Sequence, residues 1–334
     1  MKAVGLYRYL PIDHPESLLD LEVETPAAAG HDLLVAVKAI SVNPVDYKRK
    51  APRDLVEKTP KILGWDAAGI VQAVGPEVTL FKAGDEVYYA GSVIRPGANS
   101  EFHLVDERIA GRKPANLSFA QAAALPLTTL TAWELMFERM GISKSGEDGK
   151  NAAGRSMLII GGAGGVGSIA IQLAKKLARL KVTASAARPE SIAWCRDFGA
   201  DETADHSRAI DGEYDFVLCL SSSDSYWPSF PRLVKPQGKL GLIVRTVKPV
   251  DLSILHDKSI AVCLEGMFTR SSFQTPDMAA QHTLLDEAAG LVEAGVLKTT
   301  LAQNLGRICA ANVKRAHKML EEGHVIGKLV LEGW

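Results

Sequence analysis

Between residues 33 and 107 the chain reads as short runs in which apolar and polar residues alternate: LLVAVKAISVN over 33–43, GIVQAVG over 69–75, DEVYYAG over 85–91 and EFHLVDE over 101–107. Period-two alternation gives each strand one face toward a core. Turn pairs such as Gly75-Pro76 and Gly84-Asp85 separate the runs, so the front of the chain is expected to be a compact β-rich domain, with a barrel as one closure. From Ser118 the apolar spacing lengthens to three and four in SFAQAAALPLTTLTAWELMFERMG, which predicts helices on either side of Pro126. A polar, glycine-bearing loop, SKSGEDGKNAAGR over 143–155, follows.

The pattern then changes again. In SMLIIGGAGGVGSIAIQLAKKL, over 156–177, an apolar run breaks into glycines and resumes at helical spacing. It reads as strand, turn and helix. Beyond it, strands (KVTASAA over 181–187, ETADH, YDFVLCLSS over 214–222, KLGLIV over 239–244, IAVCLEGMF over 260–268) alternate with helices near 190–198 and 227–234. Such alternation predicts right-handed βαβ units and an α/β fold with a doubly wound parallel sheet. A long amphipathic helix over 277–294, a helix over 310–322 and a terminal strand GKLVLEG close the chain. That strand is assigned to the front domain, giving a substrate domain over 1–126 and 271–334 and a dinucleotide-binding domain over 127–270.

Composition narrows the class. The 334 residues exceed what one core usually supports, while 47% hydrophobic and 23% charged residues are ordinary for a globular protein. A net charge of −1 offers neither nucleic acid nor an anionic membrane any general attraction. The start, MKAVGLYRYLPIDHPESL, lacks an apolar signal core, and no run of about 18 apolar residues occurs. A cytoplasmic protein is expected. Cys195, Cys219, Cys263 and Cys309 show no paired spacing and read as buried thiols.

The glycines carry the first chemistry. Gly162, Gly164 and Gly167 match G-x-G-x-x-G between a strand and a helix. Gly162 is expected to make the tight turn, Gly164 to remove a Cβ that would block a pyrophosphate, and Gly167 to let the helix pack closely. Gly165 and Val166 then offer helix-terminal amides to the anion. NAD-selective sites place an acid at the end of the second strand, where this chain has TASAARPES. Ser185 and Arg188 there suit a 2′-phosphate, so the cofactor is read as NADPH. Leu220, Val244, Phe268 and Arg270 fall after later strands, where the switch-point rule puts ligand contacts. Arg270 can equally hold the domains together.

Three stretches in order, GWDAAGIVQAVGPEVTLFKAGDEVY, GGAGGVGSIAIQLAK and the tail GKLVLEG, together with SVNPVDYKR, make the chain resemble the medium-chain dehydrogenase/reductase superfamily, and within it the zinc-independent, zeta-crystallin-like quinone oxidoreductases. The resemblance implies a GroES-like catalytic domain beside a Rossmann domain. Zinc alcohol dehydrogenases of that superfamily carry a Cys, a His-Glu pair and a further Cys where this chain has Asn43, Trp65-Asp66 and PLTTLTAWEL, and a four-cysteine lobe where it has AGSVIRPGANSEF. Asn and Trp do not replace thiolate and imidazole as zinc ligands, so no metal is expected.

Without a metal, catalysis reduces to orienting a hydride donor and stabilising charge on oxygen. The resemblance puts substrate-side roles on Asn43, Asp46 and Tyr47, and a contact from His206 to the 2′-phosphate. The residues themselves leave a plainer reading open, in which Asn43 turns the chain and Asp46 pairs with Lys48 or Arg49. Trp65 is a candidate wall over a flat acceptor, and Thr129 a candidate contact to the nicotinamide carboxamide. The expected activity is NADPH-dependent reduction of a quinone or another α,β-unsaturated carbonyl. An alkenal or enoyl reductase is the alternative enzyme, and a non-catalytic NADPH sensor or RNA-binding crystallin-like protein the alternative outside catalysis. The apolar edge near 260–268 is expected to pair with a second copy, as in similar dimeric relatives.

Overall fold

The computed structural model describes residues 1–144 and 154–334, so most of the loop expected over 143–155 lies outside the described residues. The chain divides into two compact units, Met1–Leu127 with Phe268–Trp334, and Thr128–Met267. The front of the first unit runs β1 Lys2–Tyr9, β2 Leu19–Glu22, β3 Asp32–Val42, α1 Pro44–Lys50, β4 Arg53–Ile62, β5 Ala67–Val74, β6 Glu86–Tyr89, β7 Phe102–Asp106, β8 Ala110–Arg112 and α2 Phe119–Ala123. Asn43-Pro44 starts a helix here, and not merely a turn, because proline at the first helical position fixes φ where no amide hydrogen is needed. Ser118 and Gln121 cap α2 reciprocally, each side chain accepting from the other's amide.

Next come α3 Pro126–Trp133, continued by a π-helical turn Glu134–Arg139, then β9 Ser156–Ile160, α4 Gly165–Lys176, β10 Lys181–Ser185, α5 Pro189–Asp197, β11 Glu202–Ala204, β12 Tyr214–Cys219, α6 Ser223–Tyr226, α7 Phe230–Leu233, β13 Val234–Leu242 and β14 Ala261–Leu264. The six strands form one sheet ordered β11-β10-β9-β12-β13-β14, and every pairing is parallel. Counted along the chain this is 3-2-1-4-5-6, the doubly wound order, which reverses between β9 and β12. Ligands of such sheets bind where the order reverses, and the glycine turn follows β9 at that place. One core packs Leu158, Val217 and Leu240 of the sheet against Trp227, Phe230 and Leu233. Pro228 and Pro231 break the helix expected over 227–234 into a 3₁₀ turn and α7. The edge strand β14 is four residues long, shorter than the apolar run suggested.

The chain returns to the first unit with α8 Thr269–Phe273, α9 Ala280–Glu293, β15 Leu301–Asn304, α10 Ala310–Glu321 and β16 Lys328–Glu332. Its main sheet is ordered β15-β16-β3-β5-β6-β8, with β7 also on β3. The last strand lies antiparallel to β3, with Leu329 opposite Val42. A separate sheet, β2-β1-β4, was not evident in the alternation, because β4 is exposed along most of its length and its charges fall on both faces. Among the described residues no helix is long and apolar enough to cross a membrane.

Candidate functional site

At the junction of β3 and α1 the first unit buries a knot of polar side chains. Asn43 is 2% exposed, Asp46 1%, Asp66 0% and Lys328 3%. Asn43 Nδ2 donates to Asp66 Oδ2 at 3.0 Å and lies 3.3 Å from the Trp65 carbonyl. Lys328 Nζ donates to Asp66 Oδ2 at 2.9 Å, to the Val42 carbonyl at 3.2 Å and to Asn43 Oδ1. The other oxygen of Asp66 accepts from the Leu127 amide at 3.1 Å. Asp46 caps α1 by accepting from the Asn43 amide at 2.7 Å, and its Oδ1 is buried with no hydrogen bond of ordinary geometry. The amide of Asn43 is thus committed inside the unit, and Asp46 is joined to Asn43, not to Lys48 or Arg49.

Burial sets the electrostatics of this knot. Loss of water pushes the Asp46 carboxyl up to about 7, against the Asn43 amide and the Lys328 charge, which favour its ionised form. Burial also raises Asp66, opposed first by Lys328. These donors do not fit zinc. A divalent cation set between Asn43 and Asp66 would share their oxygens with an ammonium already bound to both, and Trp65 has no lone pair to give. Among the described residues no three His, Cys, Asp or Glu side chains gather as a metal site.

The neighbouring candidates are placed differently. Trp65 is fully buried, its indole donating to the Ser92 carbonyl at 2.9 Å and its ring edge-on to Phe268 at 6.4 Å. Tyr47 is half-buried, and burial together with the charge of Glu321 in α10 raises its phenol. Arg270 is 5% exposed and donates twice to Asp277 Oδ2, at 3.0 and 2.8 Å, within the first unit.

In the second unit the glycine turn joins β9 to α4. Gly161, and not Gly162, takes the left-handed conformation, at φ +88. Gly162 is needed for packing instead, since a Cβ there would lie 2.7 Å from Ala184 Cβ. A Cβ at Gly167 would lie 2.3 Å from the Gly161 carbonyl oxygen, so this glycine seats the helix on the turn. Gly164 differs from both. It starts α4 at φ −74 and ψ 174, and its Cβ direction is open, with only the Gly161 oxygen within 4 Å, at 3.5 Å. An open glycine before the first-turn amides of Gly165, Val166 and Gly167, which have no acceptor within the helix, fits a pyrophosphate.

Ser185, at the end of β10, accepts from the Gly161 amide at 2.9 Å and so ties the turn to its neighbouring strand. Arg188 follows, exposed at the start of α5. His206 is exposed just past β11, and Leu220 and Val244 are half-buried just past β12 and β13. The Val244 carbonyl accepts from Ser223 at 3.0 Å. Thr129 is buried in α3 at 2% exposure. Two members of these sites escaped sequence reasoning. Gly161 was signalled by its place as the first glycine after the strand, and Lys328 by being a charge directly before the apolar run Leu329–Leu331 of the last strand.

Comparison with known proteins defines the class. Residues 29–130 match the alcohol dehydrogenase GroES-like domain, and residues 197–331 match the zinc-binding dehydrogenase domain. A zinc-type alcohol dehydrogenase-like protein of Staphylococcus epidermidis is 38% identical over 339 residues, covering 99% of each chain. A solved structure from Rhizobium etli CFN 42, provisionally named a zinc-dependent alcohol dehydrogenase, superposes with a TM-score of 0.94 at 48% identity over 100% of this chain and 98% of the other. Escherichia coli quinone oxidoreductase complexed with NADPH superposes with a TM-score of 0.83 at 25% identity over all of both chains. The chain belongs to the medium-chain dehydrogenase/reductase superfamily, in its quinone oxidoreductase-like branch.

Proposed function

We propose that the protein is an NADPH-dependent reductase that delivers hydride, without a metal, to a quinone or another α,β-unsaturated carbonyl. The carrying observation is the open face of Gly164 at the switch point of the sheet, with Arg188 and no acid at the end of β10. Gly164, Gly165 and Val166 would hold the pyrophosphate, and Arg188 the 2′-phosphate, with His206 beyond the next strand as a further cation when protonated. When bound, reduced nicotinamide supplies the hydride. The polypeptide has to orient the partners and let one proton reach the reduced acceptor.

Metal independence is supported by the knot itself, where Lys328 supplies the positive charge between Asn43 and Asp66. The acceptor class is supported by relatives of named activity, the 2-methylene-furan-3-one reductase of Solanum lycopersicum, 36% identical over 69% of this chain and 59% of its own, and an alkenal/one oxidoreductase of Arabidopsis thaliana. Those two names favour an enone or alkenal as the second reading. Loss of NADPH absorbance with a quinone panel and an enal panel, on EDTA-treated protein, tests both. Turnover on neither panel, or its abolition by chelation, defeats the proposal.

We also propose a homodimer through β14, the edge of the six-stranded sheet, which carries Leu264 at 69% exposure. Light scattering after size exclusion is expected to give twice the 35.9 kDa chain mass. A monomer at micromolar concentration contradicts this.

A further inference from the structure

Three lysines of the first unit are buried, and they end on different partners. Lys50 donates to the Leu10 carbonyl, and Lys113 to the carbonyls of Pro114 and Leu117 with Glu86 beside it. Such endings satisfy an amine on the backbone. Lys328 instead ends on two candidate-site side chains, Asn43 Oδ1 and Asp66 Oδ2. Its contact with Oδ1 leaves the Asn43 side chain one orientation, with Nδ2 toward Asp66, while the backbone amide of the same residue donates to the carboxylate of Asp46. A single ammonium from the last strand thus joins the Val42 carbonyl, the Asn43 side chain and Asp66 at the entry to α1.

We propose that Lys328 is a positioning residue for the reductase reaction: it locks the side-chain amide of Asn43, serves as counterion to Asp66, and supplies the cation of the buried cluster that contains Asp46. The role rests on the reductase reading given above. The charged groups that face Asp46 are Lys328 from β16 and Asp66 from the segment before β5, and they act in opposite directions. Without Lys328, two buried carboxyl groups would compete for protons with no cation between them. The backbone around Asn43 would also lose the contact that selects its side-chain orientation, and a displacement of about 1 Å near reacting groups can cost on the order of 10²-fold in rate.

The test uses Lys328→Met and the double variant Lys328→Met with Asp66→Asn, which removes both charges and so restores a neutral interior. We expect kcat to fall by on the order of 10²-fold in both, with the Kd for NADPH unchanged and with the pH-rate profile displaced. Carbon-13 NMR of labelled aspartates should show Asp46 titrating at higher pH in Lys328→Met than in the wild type. A double variant that is folded and keeps wild-type kcat and pH profile overturns the proposal, since a purely structural charge pair would be repaired by it. An unmoved Asp46 titration also overturns it. If the wild type reduces no acceptor, the reductase reading fails alone, and the Asp46 titration still decides the role of Lys328. Should neither variant fold, the wild type decides: a protected Lys328 ammonium signal that shifts as Asp46 titrates supports the proposal, and its absence overturns it.

Discussion

Replacing Gly164 by alanine separates what the fold needs from what a dinucleotide needs. The backbone there, at φ −74 and ψ 174, is open to any residue, and the new methyl group would meet only the Gly161 oxygen, at 3.5 Å. Alanine is a poorer helix cap than glycine but restricts the unfolded chain more, two effects that offset to within about 1 kcal/mol. The same methyl group projects into the space before the first-turn amides of α4. Weakening one charge-assisted bond to phosphate costs about 1.5–3 kcal/mol, or roughly 10- to 100-fold in Kd. The contrasting variant is Gly167→Ala, whose Cβ would sit 2.3 Å from one backbone oxygen and 2.5 Å from another. The turn must shift to admit it, so Tm and binding should fall together. NADPH fluorescence titrations beside thermal unfolding by circular dichroism read both quantities. Gly164→Ala with an unchanged Kd would refute the cradle.

Arg188→Ala should weaken NADPH binding by about tenfold, as expected for an exposed guanidinium on a phosphate, and leave NADH binding unaltered; an unchanged ratio of the two dissociation constants removes Arg188 from cofactor selection. Stability should also depend on Asp46. Its carboxyl is raised by burial to about 7 from the usual carboxylate range, so between about pH 4 and pH 7 the folded protein binds the extra proton. That contribution is complete at low pH and is lost as the pH rises through 7. Asp46→Asn, which mimics the protonated acid, should remove a decline in unfolding free energy on the order of a few kcal/mol over that window. Urea denaturation at half-unit pH steps checks it, and a variant with the wild-type slope contradicts it.

The parallel sheet was legible because strands buried on both faces, such as SMLII and YDFVLC, read as continuous apolar runs set between helical periods. The GroES-like front was readable where its strands carry buried apolar residues, as along β3 and the first half of β5; β4, exposed over most of its length, left no period to find. Local motifs placed the glycine turn and the roles of Gly164 and Gly167 but gave Gly162 the turn that Gly161 makes. Spacing cannot tell which glycine of GGAGG turns and which one packs, since that depends on where Ala184 of the neighbouring strand lies. Asn43, Asp46 and Asp66 were singled out as a loop and a place without zinc. Their union depends on Lys328, 262 residues beyond Asp66, and no sequence pattern links the two. A buried ion pair becomes visible only when the fold brings its halves together.

The most direct test of the account follows the hydride itself. Protein stripped of metal by chelation and checked by elemental analysis is given NADPH carrying deuterium at both C4 positions of the nicotinamide, with an enone as acceptor, whose β-carbon keeps the transferred label in a C–D bond that does not exchange with water. Deuterium is expected on the β-carbon of the reduced enone, one per NADPH oxidised, at the rate of untreated protein. Product without deuterium, or activity that returns only when zinc is restored, would contradict it.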